Sequence, residues 1–374
     1  MRRGLVLVLV LALLFGTPWA ALVAVGPDWP TPVFVLGTVL FAVVLLAFPW
    51  LMVLGHGRRH VDWASKISDI TLGVVWILFV WTLLGHVLRL VLALAGVENP
   101  DRARIVAVVV LVVVAVLLVH GYVEAMRVPR VRTTEVVLPR LGRGLDGLRV
   151  VVITDTHYGP LERTKWSKGL AAAVNELDPD VVCHTGDLAD GLVVQRRGQV
   201  DPLGTVRATE AKLYITGNHE YYNEAQGWLD HMESLGWDPM HNRHHVVERG
   251  GDRLVFAGID DPTGTNLPGH GPDIEAALAG TNPDDPIVLL AHQPKQVSVA
   301  VEAGVDLQLS GHTHGGQIWP FHYLVRVDQP VLHGLSSHGP RTQLYTSRGS
   351  GFWGPPFRVF APSEISVLVL RSPR

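Results

Sequence analysis

The chain has 374 residues, of which 48% are hydrophobic and 17% charged, and its formal net charge is −3 at neutral pH. This balance gives no nucleic-acid-binding signature, because binding to a phosphate backbone calls for an excess of basic residues. A single cysteine, Cys183, excludes an internal disulfide and leaves the redox compartment open. Leu, Val, Ala and Trp predominate up to about residue 125, and the composition beyond is that of an ordinary soluble domain.

Four apolar segments occupy the first third of the chain, over residues 5–25, 33–54, 70–95 and 105–119. A membrane-spanning helix needs about 20 apolar residues, so the first three are long enough, and the fourth is if it continues through Tyr122. We therefore predict a four-helix transmembrane domain over residues 1–125, followed by a basic connector over residues 126–147. The protein is expected to be a multi-pass protein of the cell membrane, with membrane lipids as partners.

Basic residues indicate how these spans are oriented. They precede the first span, separate the second from the third and follow the fourth: Arg2, Arg3, Arg58, Arg59, Lys66, Arg127, Arg130, Arg132, Arg140 and Arg143. The positive-inside rule then predicts that both termini and the second half of the chain are cytoplasmic. The gap between the third and fourth spans is mixed, since it carries Arg102 and Arg104 beside two acidic residues. An alternative is that residues 1–25 are an export signal, which would leave three spans and place the second half outside.

Five apolar runs in the second half have the length and flanking residues of buried strands, over residues 150–154, 181–184, 213–216, 287–290 and 307–310. Each run ends in a polar block: Asp155-Thr156-His157, Gly186-Asp187 with Asp190, Gly217-Asn218-His219-Glu220, Ala291-His292, and Gly311-His312-Thr313-His314. Ligands bind outside the carboxyl ends of strands in layered α/β folds, so the blocks predict one shared site. Asp, Asn and His without sulfur are the ligands of a two-metal phosphoryl-transfer site.

Helical patterns alternate with these strands, over residues 165–177, 226–235, 273–279 and 295–303, and this alternation indicates stacked βαβ units. A hairpin is predicted over residues 246–259, around Gly250-Gly251, and an edge strand over residues 133–138. Residues 189–210 have little apolar periodicity and are predicted to form a loop over the site. Cys183 is predicted to pack in the core, and Glu220 to brace the helix after the third block.

In order and wording, the five blocks resemble the calcineurin-like metallophosphoesterase superfamily, whose pattern is D-x-H, G-D-x-x-D, G-N-H-E, a lone His and G-H-x-H. The resemblance covers roughly residues 148–370, and residues 315–317 and 345–349 narrow it to a bacterial subgroup similar to transmembrane proteins with a metallophosphoesterase domain. It implies a membrane α-helical bundle followed, over residues 148–374, by an α/β metallophosphoesterase domain. That domain would be a four-layer α-β-β-α sandwich with two mixed sheets.

The resemblance also implies two divalent metal ions and assigns their ligands by position. The first ion would be held by Asp155, His157 and His314, and the second by Asn218, His292 and His312. Asp187 would bridge both ions. An extended backbone would direct His312 and His314 to adjacent ions. The ligand set suits Mn, Fe or Zn, and the choice among them stays open.

The implied reaction is attack on phosphorus by a hydroxide held between the cations. His219 would be the general acid for the leaving oxygen, and Asp190 would accept a hydrogen bond from it. Arg348 and Gln317 are candidates for contacting the substrate, which the sequence does not identify.

We therefore expect a membrane-anchored phosphoesterase that hydrolyses a phosphodiester, a pyrophosphate or a monoester, with a lipid-linked or nucleotide-linked phosphoester as the candidate substrate. The aromatic loop over residues 351–357 would contact acyl chains or plug the domain. Two alternatives stay open: an exported cell-envelope phosphoesterase, and a non-catalytic, metal-stabilised membrane sensor or scaffold. The sequence assigns no oligomeric state.

Overall fold

The computed structural model describes residues 2–57 and 60–373, without the side chains of residues 2 and 3. Arg58 and Arg59, which contribute to the predicted orientation, lie outside the described residues, as do the side chains of Arg2 and Arg3. The chain divides into two compact units. One comprises Met1–Val123 with Gly354–Val359, and the other comprises Glu124–Trp353 with Phe360–Arg374.

Four long helices begin the described chain, and each predicted apolar segment lies within one of them to within one residue. They are α1 (Arg2–Trp19, continued by a π-helical turn at Ala20–Ala24), α2 (Thr31–His56), α3 (Asp62–Leu94) and α4 (Asp101–Met126). All four are long and apolar enough to cross a membrane. Large apolar side chains on them are exposed, among them Leu46 and Val53 on α2 and Leu94 on α3. Exposed apolar surface of this kind is typical of helices that contact a membrane or another protein.

A segment from late in the sequence, Gly354–Val359, packs within this helical unit. The ring of Phe357 lies 6.4 Å from that of Tyr122, and a Cβ added at Gly73 would collide with Phe357. The backbone N–H of Arg358 donates to the carbonyl of Gly121 over 2.9 Å. Phe357 is therefore buried against α3 and α4, which favours internal packing over contact with acyl chains for this part of the aromatic loop.

The second unit contains two six-stranded mixed sheets among the described residues. The strands are β1 (Arg130–Val137), β2 (Arg149–Ile153), β3 (Val181–Thr185), β4 (Ala211–Ile215), β5 (Asp238–Pro239), β6 (Arg243–Arg249), β7 (Asp252–Gly258), β8 (Ile287–Leu290), β9 (Leu307–Ser310), β10 (Gly334–His338), β11 (Thr342–Thr346) and β12 (Glu364–Arg371). The first sheet has the order β1-β12-β2-β3-β4-β5, and the second β10-β11-β9-β8-β7-β6. The five strands before the polar blocks, the edge strand β1 and the β6–β7 hairpin confirm the predictions.

Seven shorter helices complete this unit: α5 (Thr164–Asn175), α6 (Val193–Val200), α7 (Asn218–Asn223), α8 (Ala225–Ser234), α9 (Ile274–Leu278), α10 (Val297–Glu302) and α11 (His322–Asp328). Successive side chains of a strand point to opposite faces of its sheet, so each strand contributes to two different hydrophobic cores. Val150 and Val152 of β2 enter the core between the sheets, whereas Val151 and Ile153 enter the core beneath α5 and α8. A third cluster joins the outer face of the second sheet to α9 and α10. The predicted four-layer α-β-β-α sandwich is confirmed, and Cys183 lies in its central core.

The prediction of a loop over residues 189–210 was wrong, because this stretch contains α6 and a 3₁₀ turn, Asp201–Thr205. Two of the residues that α6 buries are polar. Arg196 donates to the carbonyl of Asp190 over 2.9 Å, and Gln199 donates to that of Gly159 over 2.9 Å. Apolar periodicity does not reveal a helix whose inward side chains are satisfied by hydrogen bonds.

Candidate metal centre

The five polar blocks lie directly beyond the carboxyl ends of β2, β3, β4, β8 and β9. Backbone hydrogen bonds join neighbouring blocks within each sheet. In the first sheet, the N–H of Asp155 donates to the carbonyl of Gly186 over 3.0 Å. In the second sheet, the N–H of Gly311 donates to the carbonyl of His292 over 3.0 Å. Another hydrogen bond joins the blocks of the two sheets, because the backbone N–H of His312 donates to the Asp155 carboxylate over 2.9 Å.

The backbone at most of the predicted ligands is left-handed rather than extended. Positive φ angles, from 42° to 69°, occur at five of them: Asp155, His157, Asp187, His312 and His314. The expectation that His312 and His314 share an extended segment was therefore wrong, and His314 begins a 3₁₀ turn. Non-glycine residues rarely adopt this conformation, and where they do it is held by surrounding contacts, most often at functional sites.

One group of predicted ligands brings together Asp155, His157 and His314, all of them buried. The Nε2 atoms of His157 and His314 lie 3.1 Å apart, and Nε2 of His314 lies 3.3 Å from Oδ1 of Asp155. Burial opposes ionisation of the Asp155 carboxyl, but His314 outweighs it and lowers the Asp155 pKa. Two ring nitrogens and a carboxylate oxygen that face one another so closely form a natural cation site.

A second group contains Asp187, His292 and His312. Oδ2 of Asp187 lies 3.2 Å from Nε2 of His292 and 3.5 Å from Nε2 of His157, so this carboxylate borders both groups. Burial lowers the pKa of His312 to about 4, and His292 adds to the effect. Asp187 thus borders both groups, and it also forms a further group with His157 and His219.

Two buried atoms at the second group lack hydrogen-bond partners within residues 2–57 and 60–373: Oδ1 of Asn218 and Nε2 of His292. The other ring nitrogen of His292, Nδ1, donates to the carbonyl of Thr185 over 2.8 Å, so Nε2 is the ring nitrogen that could bind a cation. Buried polar atoms are normally paired, so an unpaired amide oxygen and an unpaired imidazole nitrogen suit a bound cation. The residues present therefore fit a pair of divalent metal ions.

The Asp190 carboxylate contacts both His219, the other predicted catalytic residue, and His157, a predicted metal ligand. Its Oδ1 lies 2.6 Å from Nδ1 of His219 and 3.0 Å from Nδ1 of His157. The N–H of His219 donates to Oδ1 of Asp187 over 2.9 Å. Burial would lower the pKa of His219, but Asp187 and Asp190 raise it to about 9. The sequence had not singled out Tyr222, an exposed residue whose ring centroid lies 5.3 Å from that of His219.

Glu220 caps the helix after the third block, in line with the expectation that it supports this helix, and it also holds the second block. It is buried, and its carboxylate accepts backbone hydrogen bonds from Gly217, Asp187, Leu188 and Ala189 over 2.6–3.2 Å. Burial raises the pKa of Glu220 to about 8, and the nearby Asp187 adds to the effect. The Glu220 side chain therefore holds the block that contains Asp187 against the block that contains Asn218.

Two glycines of the motifs, Gly217 and Gly311, leave the space that the carboxylates of Asp187 and Asp155 occupy. A Cβ at Gly217 would collide with Asp187, and a Cβ at Gly311 would collide with Asp155 and Thr154. Any other residue would displace a predicted ligand, so the glycines are functional by the space they leave. Their place directly before Asn218 and His312 was the signal available in the sequence.

Arg163 is a buried residue that the sequence gave no reason to select. Its guanidinium donates to the carbonyls of Thr156 and His157, and it is surrounded by the rings of Tyr158, Trp166 and Phe352 at 4.4–5.6 Å. Burial lowers the pKa of Arg163 to about 10. The residue holds the segment that carries His157.

The two candidate substrate contacts differ in their surroundings. Both ends of the Gln317 amide bind the backbone of Trp353, since Nε2 donates to its carbonyl over 2.7 Å and Oε1 accepts from its N–H over 2.8 Å. This arrangement favours a structural role for Gln317. The Arg348 guanidinium lies 3.2 Å from the ring of His333, and its backbone N–H donates to Glu364 over 3.3 Å.

The chain was compared with known proteins. Residues 148–316 match the family model described as calcineurin-like phosphoesterase. A transmembrane protein with metallophosphoesterase domain from Danio rerio is 37% identical over 83% of this chain and 74% of that protein. An uncharacterized metallophosphoesterase from Campylobacter jejuni is 32% identical over 89% of this chain and 88% of that protein. Among solved structures, a 5'-nucleotidase precursor from Thermus thermophilus is 17% identical with a TM-score of 0.38, covering 59% of this chain and 54% of that one.

Proposed function

This chain belongs to the calcineurin-like metallophosphoesterase family, and from that premise we propose that it hydrolyses a membrane-linked phosphoester at a site for two divalent metal ions. Membership makes it a metal-dependent phosphoric ester hydrolase. The observation that carries the two-metal proposal is the position of Asp187 between two groups of buried ligands. A carboxylate with one oxygen facing a histidine of each group is suited to bridge two cations.

The proposed ligand sets follow the grouping of the side chains. One ion is held by Asp155, His157 and His314, the other by Asn218, His292 and His312, and Asp187 is shared. Four histidines with two carboxylates and one amide favour Mn, Fe or Zn over Mg, which prefers oxygen ligands. When bound, such ions polarise the phosphoryl group and make a nucleophile available from water at neutral pH.

The remaining steps belong to side chains of the protein. His219 donates a proton to the leaving oxygen of the ester, and Asp190 holds its ring by the short contact at Nδ1. Because the same Asp190 oxygen lies beside Nδ1 of His157, one carboxylate orients both the acid and a ligand. Glu220 and Arg163 keep the loops of the site in place.

Two features support a substrate at the membrane. The described chain has four helices long and apolar enough to cross a bilayer, and relatives that cover most of its length are named as transmembrane proteins. An enzyme of soluble esters gains nothing from such an anchor, so a lipid-linked phosphodiester or pyrophosphate is the substrate class we favour. We propose that residues 1–125 are the anchor, residues 126–147 the connector and residues 148–374 the catalytic domain, on the cytoplasmic side.

Metal removal and restoration tests the proposed activity. Purified protein in detergent is stripped with a chelator, dialysed and assayed with bis(p-nitrophenyl) phosphate, p-nitrophenyl phosphate and a lipid-linked pyrophosphate, before and after addition of Mn²⁺. We expect no hydrolysis by the stripped protein and recovery with Mn²⁺, fastest on the lipid-linked substrate. Hydrolysis that persists after the metal has been removed, as shown by elemental analysis, would contradict the proposal.

A further inference from the structure

A further group of side chains that could hold a metal ion lies outside the candidate metal centre, and it contains His241, Asp260 and His270. Nδ1 of His241 lies 2.7 Å from Oδ1 of Asp260, and Nδ1 of His270 lies 3.6 Å from Oδ2 of the same carboxylate. One ligand atom from each residue falls within 4.8 Å of the others. Ligands about 2.0 Å from a tetrahedral zinc ion lie about 3.3 Å from one another, so these separations suit a single ion.

The burial of the group distinguishes it from an ordinary surface ion pair. The Asp260 side chain is 1% exposed and that of His270 is 12% exposed, although His270 follows a run of exposed residues at 265–269. The chain thus turns back at the end of this loop to bring one imidazole inside. Nδ1 of His270 is itself buried, and it has no hydrogen-bond partner in the part of the chain that the structure describes. An imidazole nitrogen that faces a carboxylate without bonding it is the atom that a cation would use.

Contacts around the group already hold the loop without the help of His270. The Asn242 side chain accepts from the N–H of Asp260 over 3.2 Å and from that of Asp273 over 3.0 Å, and it donates to the carbonyl of Gly271 over 2.8 Å. The N–H of Gly271 donates to Oδ2 of Asp260 over 3.0 Å, which orients the carboxylate. Supporting hydrogen bonds of this kind orient the ligands of metal sites.

We propose that His241, Asp260 and His270 bind a single divalent transition-metal ion, of which Zn²⁺ is the best match, independently of the metal centre described above. Two imidazoles and one carboxylate are a known ligand set for zinc, with a fourth position left to water. The two sites share no ligand. The ion would join the segment between β5 and β6, through His241, to the loop between β7 and α9 that carries His270.

This site lies beside the helix that carries the proposed general acid. The ring of Tyr221 on α7 lies 5.4 Å from that of His270, nearly edge-on, and a Cβ at Gly264 in the same loop would collide with Tyr221. Tyr221 follows His219 by two residues. Zinc at the new site would therefore stiffen the loop that packs against α7, without contacting the reacting atoms.

The test measures Zn²⁺ alone, bound to the purified full-length chain in detergent after chelation and dialysis. Wild type, His270→Asn and His241→Asn are compared, each also in an Asp187→Asn background that weakens the other centre. We expect each histidine substitution to remove about one Zn²⁺ per chain in both backgrounds, and to abolish the rise in thermal unfolding midpoint that Zn²⁺ gives the Asp187→Asn protein. His244→Asn is the matched control, since His244 lies three residues beyond His241, on β6, and donates to the carbonyl of Ala277 over 2.9 Å.

Equal zinc content in wild type, His241→Asn and His270→Asn would overturn the proposal and leave the group as a hydrogen-bonded ion pair. A folded Asp187→Asn protein that binds no zinc would also overturn it, and this result needs no histidine variant to fold. If Asp187→Asn keeps the metals of the other centre, the bridging role fails, but the difference of one ion on substituting His270 still tests the new site.

Discussion

Asp187 is the residue on which the candidate metal centre depends most. Its Oδ2 faces a histidine of each group, and its Oδ1 accepts from the N–H of His219, so both oxygens are engaged inside the site. Burial would raise the pKa of this carboxyl, but His292 and His219 outweigh it and hold the pKa well below its usual value. The residue is therefore a carboxylate when the ligands assemble.

We predict that Asp187→Asn removes metal from both groups, because an amide supplies no charge between the cations. Hydrolysis should fall by at least about 100-fold, more than the loss typical of residues that only support a ligand. Metal content measured by elemental analysis, together with the rate of ester hydrolysis, checks this. Asp230→Asn, an exposed residue on α8, is the control. Metal content in Asp187→Asn equal to that of the control would exclude a bridging role.

The motifs predicted which side chains meet, but not the backbone that lets them meet. The order of Asp155, Asp187, Asn218, His292 and His312 behind apolar runs indicated this, because the parallel strands of each sheet end at the same edge of that sheet. The left-handed φ angles at Asp155, Asp187 and His312 could not be predicted, since they depend on hydrogen bonds between blocks far apart in the chain. Periodicity likewise gives no signal for a residue such as Arg163.

At the scale of elements, the segment between β2 and α5 depends on a buried guanidinium. Arg163 donates to the carbonyls of Thr156 and His157, and aromatic rings enclose it. Loss of this side chain would leave two carbonyls in the interior without their donor. An unsatisfied buried polar group costs about 1–3 kcal/mol.

We therefore predict that Arg163→Met lowers the free energy of unfolding by about 1–3 kcal/mol. Thermal unfolding in detergent, followed by circular dichroism, measures the change in midpoint. Lys168→Met, at an exposed position on α5, should change the stability by no more than about 0.5 kcal/mol. If the two variants unfold at the same temperature, the buried contacts of Arg163 do not hold the segment.

Elements with a strong apolar pattern were predicted well, and those without one were not. The strands before the blocks and the helices α5, α8 and α10 follow their periodicity closely. The helix α6 was missed because it buries Arg196 and Gln199, and α7 is too short for a pattern to emerge. A pattern of apolar residues cannot detect a helix whose buried side chains are polar and form tertiary hydrogen bonds.

At the scale of the whole molecule, composition predicted the apolar helices, but it did not predict which later residues belong to the same unit as those helices. Gly354–Val359 follows the catalytic motifs in sequence, yet it packs with α3 and α4 in the first unit. Contacts between residues so far apart leave no local signal. The distribution of basic residues, by contrast, is a property of the whole chain, and it supports the orientation that we propose.

We predict that the carboxyl terminus is cytoplasmic. In a bacterial host, a green fluorescent protein fused after residue 374 should fluoresce, whereas alkaline phosphatase fused at the same position should be inactive, because each reporter folds on one side of the membrane. The full-length fusion should keep residues 1–25. An active phosphatase with a shortened chain would favour the exported alternative instead.

His219→Ala separates catalysis from metal binding most directly, because His219 contacts Asp190 and Asp187 without belonging to either proposed ligand set. Metal per chain and hydrolysis of bis(p-nitrophenyl) phosphate and p-nitrophenyl phosphate are measured on wild type and variant, reconstituted with Mn²⁺ in detergent. We predict the same metal content in both and a turnover about 100- to 10,000-fold lower in the variant, the usual contribution of a general acid. Loss of metal together with turnover, or turnover equal to that of the wild type, would contradict the assignment.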